Sequence, residues 1–477
     1  MRIQHCLILC KKALFALTFL LVVLRCSDEQ LILDSTKIIS DNPLNTSTTS
    51  STEITDCSAC TYVVPAGQSF IDGTALGLQP GSIIGLDAKV SYGGLLFKNI
   101  IGTQTDPIII KNCGGTAQVN GTGKFFALRT VNSQYFRITG GNVAKTYGII
   151  VTGATMGVAL DKLSANFEVD HLEIQQSGFA GIMAKTDPSC DDATTRENFL
   201  MKKVDIHNNY IHDTGGEGIY AGNSFFMGMK TACGVRLPHE IHYIRIFNNI
   251  IKNTGWEAIQ LGCATKGASI HANTIENYGL ANRKAQNNGI QIGAGTGGVC
   301  HNNLIKNGTG NGLIVMGLGD NIIYNNVIDN AGNFGIFCDE RYSPGPGFKF
   351  LNNTIINPKS DGIRIYADLV PMNVIVNNII VNPGSYSTYT YPRSPEDAFI
   401  YKLNKDVKIE MANNYFSIQT DAVQMNNLLE SNYQVEITSP VIDKGADISA
   451  YYDIKTDFYY KARLKGVTYD IGAVEQY

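Results

Sequence analysis

Glu217 and Glu257 occupy the same place in two successive repeats of this sequence, as Glu217-Gly218-Ile219 and Glu257-Ala258-Ile259. Other repeats carry Ala180, Asn288, Asn311, Phe334 or Asp361 there. If neighbouring repeats stack, the two carboxyls come to about 5 Å of one another, the spacing of a retaining glycosidase pair. Like charge at that range keeps one carboxyl protonated as the acid. Glutamate is also unusual where other repeats use Asn or Asp for turn chemistry. The competing reading is a plain turn residue without chemistry.

Two residues further on in each repeat, the isoleucine faces the core, so the residue after it faces outward. That outward column runs Met183, Tyr220, Gln260, Gln291, Ile314, Phe337 and Arg364, and two positions beyond it lie Lys185, Met316, Asp339 and Tyr366. Tyr220, Gln260 and Gln291 suit stacking on sugar rings and hydrogen bonding to them. Lys185, Asp339 and Arg364 add charge for binding a substrate. The same residues also fit ordinary exposed strand positions.

β-Elimination on a uronate-containing glycan would need other parts, a base and a cation or Ca²⁺ that neutralises the carboxylate. Lys185, Tyr220, Arg364 and the acids Asp187, Asp191 and Asp192 offer them. Ca²⁺ enters only in that case, and hydrolysis needs no cofactor. His207, His271 and His301 share a column with Phe247, Tyr324, Leu351 and Val376, which reads as a stacking position rather than a metal site.

The elements that must position these side chains are short strands in a repeat. Asn-Asn pairs at 208–209, 248–249, 302–303, 325–326, 352–353 and 377–378 are each followed by an apolar strand. A further Asn or Asp and a Gly-Ile-type strand come next. The shortest spacings, such as Asn302 to Asn325, are in the low twenties, the length of one three-strand coil. Stacked coils place equivalent residues roughly 4.8 Å apart, so the Asn columns become ladders that hold the coils together. Insertions at Asp187–Lys203, Gly222–Glu240, Gly279–Asn287 and Asp339–Gly347 would wall a floor made by the strands near 182, 219, 259 and 290.

This pattern resembles the pectin-lyase-like right-handed parallel β-helix superfamily over residues 62–385, which implies an all-β solenoid. It also implies a shallow carbohydrate groove on one sheet. The segment 386–477 then holds C-terminal coils and a cap. Its Ser439-Pro440-Val441-Ile442-Asp443, Asp457…Arg463 and Asp470-Ile471-Gly472-Ala473-Val474-Glu475 are similar to the closing tail of bacterial surface β-helix proteins, with Val474 where Tyr is usual. The Arg-His-Gly motif of alginate and chondroitin lyases with this fold is absent, and Asp187-Pro188 is followed by Ser189 rather than the His of alginate epimerases.

At the start, Arg2, Lys11, Lys12 and the apolar run Ala13–Leu24 form an export signal over residues 1–25. Cys26-Ser27-Asp28-Glu29 resembles a bacterial lipoprotein start, with Arg25 where a small residue is wanted. A lipid on Cys26 would attach the protein to the outer membrane, and plain secretion is the alternative. Residues 26–61 read as a low-complexity tether. Among the cysteines, Cys190 and Cys233 sit in long insertions and form a plausible bridge. Cys57 and Cys60 read as a local disulfide or two thiols, and Cys263, Cys300 and Cys338 as buried thiols.

A formal net charge of −4, with 17% charged residues and no basic run, argues against nucleic acid as a partner. The expected protein is a secreted or surface monomer acting on a polysaccharide. A hydrolase through Glu217 and Glu257 stands first, with a lyase or a non-catalytic glycan-binding adhesin as alternatives.

Overall fold

Each repeat folds as one turn of a three-sided coil. In the computed structural model, which describes residues 56–141, 147–341 and 345–477, Glu240–Phe247, Ile250–Thr254 and Ile259–Leu261 form the three sides of one turn. Ser269–His271 then begins the next. The stacked turns give a first sheet of 13 strands, a second of 12 and a third, here called the floor sheet, of 12, with every neighbouring pair parallel. The winding is right-handed, as parallel crossover connections are. The export signal, Cys26 and most of the expected tether lie outside the described residues.

The interior is built from columns. Ile206, Ile246, Ile270, Cys300, Ile323, Phe350 and Ile375 pair in register and are fully or almost fully buried. On the outer side of the same sheet the aromatic column stacks. Ring centroids are 4.5 Å apart for His207–Phe247, 5.1 Å for Phe247–His271, 4.9 Å for His271–His301 and 4.5 Å for His301–Tyr324. Burial pushes His271 down to about 3 and His301 to about 4, so both rings stack uncharged.

The two asparagines of each pair divide two jobs. The first adopts left-handed backbone, with φ of 52° at Asn302 and 51° at Asn352, and so turns the corner. The second points inward. From Asn209 through Asn249, Asn273, Asn303, Asn326, Asn353 and Asn378 to Asn414, each Nδ2 donates to the next Oδ1 at 2.9 or 3.0 Å. Asn303→Ala breaks two links of the ladder, the one from Asn273 and the one to Asn326, and leaves the Asn273 backbone N–H without its acceptor. The expected loss is about 1–3 kcal/mol in urea unfolding, from leaving buried partners unsatisfied.

The strands continue past 385 to Ile400–Lys402, Ile409–Ala412 and Tyr415–Ser417. Residues 420–477 then fold back along the outer Asn column. Asn302, Asn325, Asn352 and Asn377 donate side-chain hydrogen bonds to the carbonyls of Asp457, Thr456, Asp470 and Ala446. Arg463, fully buried, bonds Asn325, Gly472 and Ala473 and faces Glu475 at 3.5 Å.

Two disulfides are formed. Cys190–Cys233 joins the two long insertions as expected. Cys57 bridges Cys113, and the expectation of a Cys57–Cys60 bridge or a free Cys57 is corrected. The strand Ile108–Cys113 presents Cys113 above the Cys57-to-Cys60 turn, and Cys60 remains a half-buried thiol.

Candidate functional site on the floor sheet

The outward column is in register on the floor sheet, with Met183, Tyr220, Gln260, Gln291, Ile314, Phe337 and Arg364 pairing in succession. The insertions do wall it. Ser224 from one side, Ala285 from the other and Arg341 from the last insertion surround a cavity of about 180 Å³ floored by Gln260, Gln291 and Met316. The walls start and stop differently from the sequence expectation, since the strand Leu200–His207 already includes Lys203. Tyr220 and Gln260 are covered by the walls rather than open, at 7% and 3% exposure. Tyr220 shares Ser224 with Gln260 as a hydrogen-bond partner.

The two long insertions form one stapled wall. The Cys190–Cys233 bridge, the Arg236–Asp192 ion pair at 2.9 Å and the hydrogen bond from Arg196 to the Pro238 carbonyl cross-link them. Beneath, buried His239 accepts from the Thr186 amide through Nε2, which leaves Nδ1 to donate to the Glu240 carbonyl. Burial holds this imidazole down at about 4, hence neutral. The acids that a lyase would offer to Ca²⁺ are engaged in the same wall. Asp187 accepts from Lys185 and Asn223, Asp191 caps a short helical turn, and Asp192 pairs with Arg236.

Glu217 and Glu257 lie in adjacent coils of one column. The Gly181 amide donates to the Glu217 carbonyl and the Gly218 amide to that of Glu257, while Ala258 and Gly335 bond Asn288 and Asp361 in the same way. Both carboxyls are buried, at 1% and 0% exposure, rather than standing free in an open groove. Glu257 Oε1 accepts from Asn288 Nδ2 at 3.1 Å, but Oε2 of each glutamate has no partner. Burial pushes Glu217 up to about 7. Burial, joined by the charge of Glu217, pushes Glu257 up to about 8.

Asp361, buried in the same column, shows what a structural carboxylate looks like here. Ser385, Tyr389 and Arg364 all bond it, so both its oxygens are occupied. The glutamate pair has no such set. Lys185, 4.5 Å above the Tyr220 ring, interacts electrostatically with Glu217, and Arg283 with both glutamates.

Of the other expected residues, Lys185, Tyr220, Gln260 and Gln291 gather on neighbouring strands in the middle of the floor sheet. Asp339 does not line the cavity but pairs at 3.4 Å with Arg341, which does. Arg364 lies apart, three strands beyond Gln291, with its guanidinium on Asp361 at 3.1 Å. Sequence reasoning missed Trp256, Arg283, Ser224 and Arg341. Trp256, the single tryptophan of the chain, precedes Glu257 directly and carries Arg283 at 4.1 Å over its ring and Phe179 edge-on at 5.3 Å. Its position beside an off-pattern glutamate was the available signal.

Two other features of the described residues carry less chemistry. A larger groove of about 580 Å³ follows the Asn330, Asn357 and Asn382 corner, but its lining holds no carboxyl, thiol or imidazole. Glu168, Asp170 and His207 bring ligand atoms within 4.8 Å of one another on the first sheet. Arg137 already sits among them, 2.7 Å from Asp170 and 3.3 Å from Glu168, and supplies the positive charge a metal would bring.

The coil, its ladders and a walled floor sheet define a right-handed parallel β-helix protein. A family model described as a right-handed beta helix region matches residues 233–416. Among solved structures, the pectate lyase Pel9A is similar over 90% of this chain and 99% of its own, at 12% identity and a TM-score of 0.53. An alginate lyase from Paenibacillus sp. strain FPU-7 is similar over 75% and 100%, at 18% identity and a TM-score of 0.45. A GH87 alpha-1,3-glucanase from Streptomyces thermodiastaticus strain HF3-3 covers 76% and 70%, at 10% identity and a TM-score of 0.42. At 12% identity the likeness to Pel9A shows the fold alone. No curated protein sequence matches the chain.

Proposed function

We propose that this protein is an exported carbohydrate-active enzyme that cleaves a glycosidic bond of a polysaccharide with Glu217 and Glu257. The observation that carries the reading is the pair of buried carboxyls in adjacent coils, each with one oxygen unpartnered, beside a walled floor of Tyr220, Gln260 and Gln291. Unpaired buried carboxyls are costly, and perturbed titratable groups beside a cleft mark functional sites. Glu257, the more strongly raised, keeps its proton and serves as the acid, while Glu217 supplies the charge facing the anomeric carbon. The geometry that Lys185 and the acids of the long wall adopt favours this over β-elimination, because their charges are already paired. Two disulfides support an oxidising compartment, in keeping with export, and Cys26 remains the proposed lipid site of a monomer.

One observation favours the glycan-binding alternative, namely that both carboxyls are closed to solvent, so substrate reaches them only if the surrounding side chains shift. The test is release of reducing ends from a panel of neutral and acidic polysaccharides. Wild type is expected to release them and Glu217→Gln and Glu257→Gln to lose the activity. Products bearing the ultraviolet absorbance of an unsaturated uronate would instead show a lyase, and retention of glycan without turnover would show a binding protein.

A further inference from the structure

Further along the floor sheet the outward column changes character. Past Gln291 and Ile314 it continues as Phe337, Arg364 and Tyr401, one per coil and in register. Phe334, Tyr366 and Tyr389 close around them. Phe337 meets Tyr366 edge-on at 5.1 Å and Tyr389 lies 5.9 Å from Tyr401. The Arg364 guanidinium lies 4.0 Å from the Tyr401 ring and 4.7 Å from that of Phe334. Arg393 also stands 4.0 Å from the Tyr401 ring. All seven residues of this platform are half-buried, in contrast to the covered Tyr220 and Gln260.

The platform is fixed from below. Asp361 holds Arg364 and takes hydrogen bonds from Tyr389 and Ser385, so the cation and one ring are locked in place. The segment carrying Ser385, Tyr389 and Arg393 stands beside it as a wall. Rigid aromatic rings with a fixed cation between them present flat apolar faces and polar edges together, the combination that accepts the C–H face of a pyranose and hydrogen-bonds its hydroxyls. Asp361 is four coils from Glu257 in one column, which places the platform about 19 Å away on the same face.

We propose that the Arg364 platform is a second polysaccharide-binding site, which grips a stretch of the same chain that lies across Gln260 and Gln291. The occupant is an extended glycan, because the platform and the walled cavity share one sheet and one outward column, several sugar rings apart. The inference rests on the polysaccharide reading of the protein but not on the glutamate pair.

Electrophoresis through native gels containing polygalacturonate, alginate or dextran tests it, using the full chain. Wild type and Glu257→Gln should be retarded equally by at least one glycan. Tyr401→Ala and Tyr366→Ala should each bind that glycan roughly 2–10-fold more weakly, the effect of one stacked ring, and Tyr401→Phe should bind as wild type. Thermal unfolding of each variant checks that it is folded, and Tyr401→Phe guards against a fold effect. Equal retardation of Tyr401→Ala, Tyr366→Ala and wild type overturns the platform, as does a wild type that none of the three gels retards. Loss of the hydrolase reading would show separately, as unchanged turnover in Glu257→Gln.

Discussion

Glu257→Gln is expected to lower kcat by roughly 10²–10⁴-fold, the usual contribution of a positioned general acid, and at the same time to stabilise the protein at alkaline pH. The second half follows from the sign of the proton linkage. Both glutamates bind protons more tightly folded than unfolded, since burial raises them from an ordinary value of 4.5 to about 7 and about 8. Between pH 4.5 and 8 the folded chain therefore holds more protons than the unfolded one, and stability falls as pH rises through that window. A glutamine carries no charge to desolvate. Glu257→Gln should then be more stable than wild type by roughly 1–3 kcal/mol at pH 8 and indistinguishable from it near pH 4. Urea unfolding at the two pH values reads the difference. A buried residue with no part in the chemistry would show the pH-dependent gain without the rate loss.

Arg463→Ala is expected to be the most destabilising single change in the C-terminal segment, at about 3–5 kcal/mol. Its guanidinium bonds the Gly472 carbonyl at 3.0 Å and that of Ala473 at 3.1 Å, and it faces Glu475, with both side chains 1% exposed. Truncation takes one donor from each carbonyl, leaving them Asn352 and the Phe458 amide, removes the guanidinium partner of Asn325, and leaves Glu475 without its counter-charge. Burial already raises Glu475 to about 7, with Arg463 opposing that rise, so the orphaned carboxyl would take a proton. Because the tail also covers the outer Asn column, its release would uncover Asn325, Asn352 and Asn377. Limited proteolysis should cut the variant first between 440 and 477, while the coil's far-ultraviolet signal persists. Unchanged cutting and stability would mean that the Asn contacts alone hold the tail.

The fold was legible because it is periodic. Asn302-Asn303 and Asn325-Asn326 announce the corner, and the isoleucines that follow announce the core side. The columns are simply these residues stacked in register. Less legible was the split of labour inside each pair, since Asn302 and Asn303 are chemically identical and only the backbone assigns one to the turn and the other to the ladder. The site was half legible. Register placed Glu217 beside Glu257 and Gln260 beside Gln291, because coil stacking is set by the repeat itself. Burial was not, because it depends on insertions that obey no repeat: Arg283 folds over Trp256, and Ser224 reaches Gln260 from a loop whose path the sequence does not encode periodically. The Cys57–Cys113 bridge escaped for the same reason, since it joins a turn before the first coil to a strand 56 residues later.

Carbon-13 NMR titration of glutamate-labelled protein, with Glu217→Gln and Glu257→Gln used to assign the signals, tests the central claim most directly. Two carboxyls should titrate near 7 and 8, and Glu257 should fall to a lower value once Glu217→Gln removes the neighbouring charge. Two independent carboxyls that titrate near 4.5, each unmoved by replacement of the other, would contradict it.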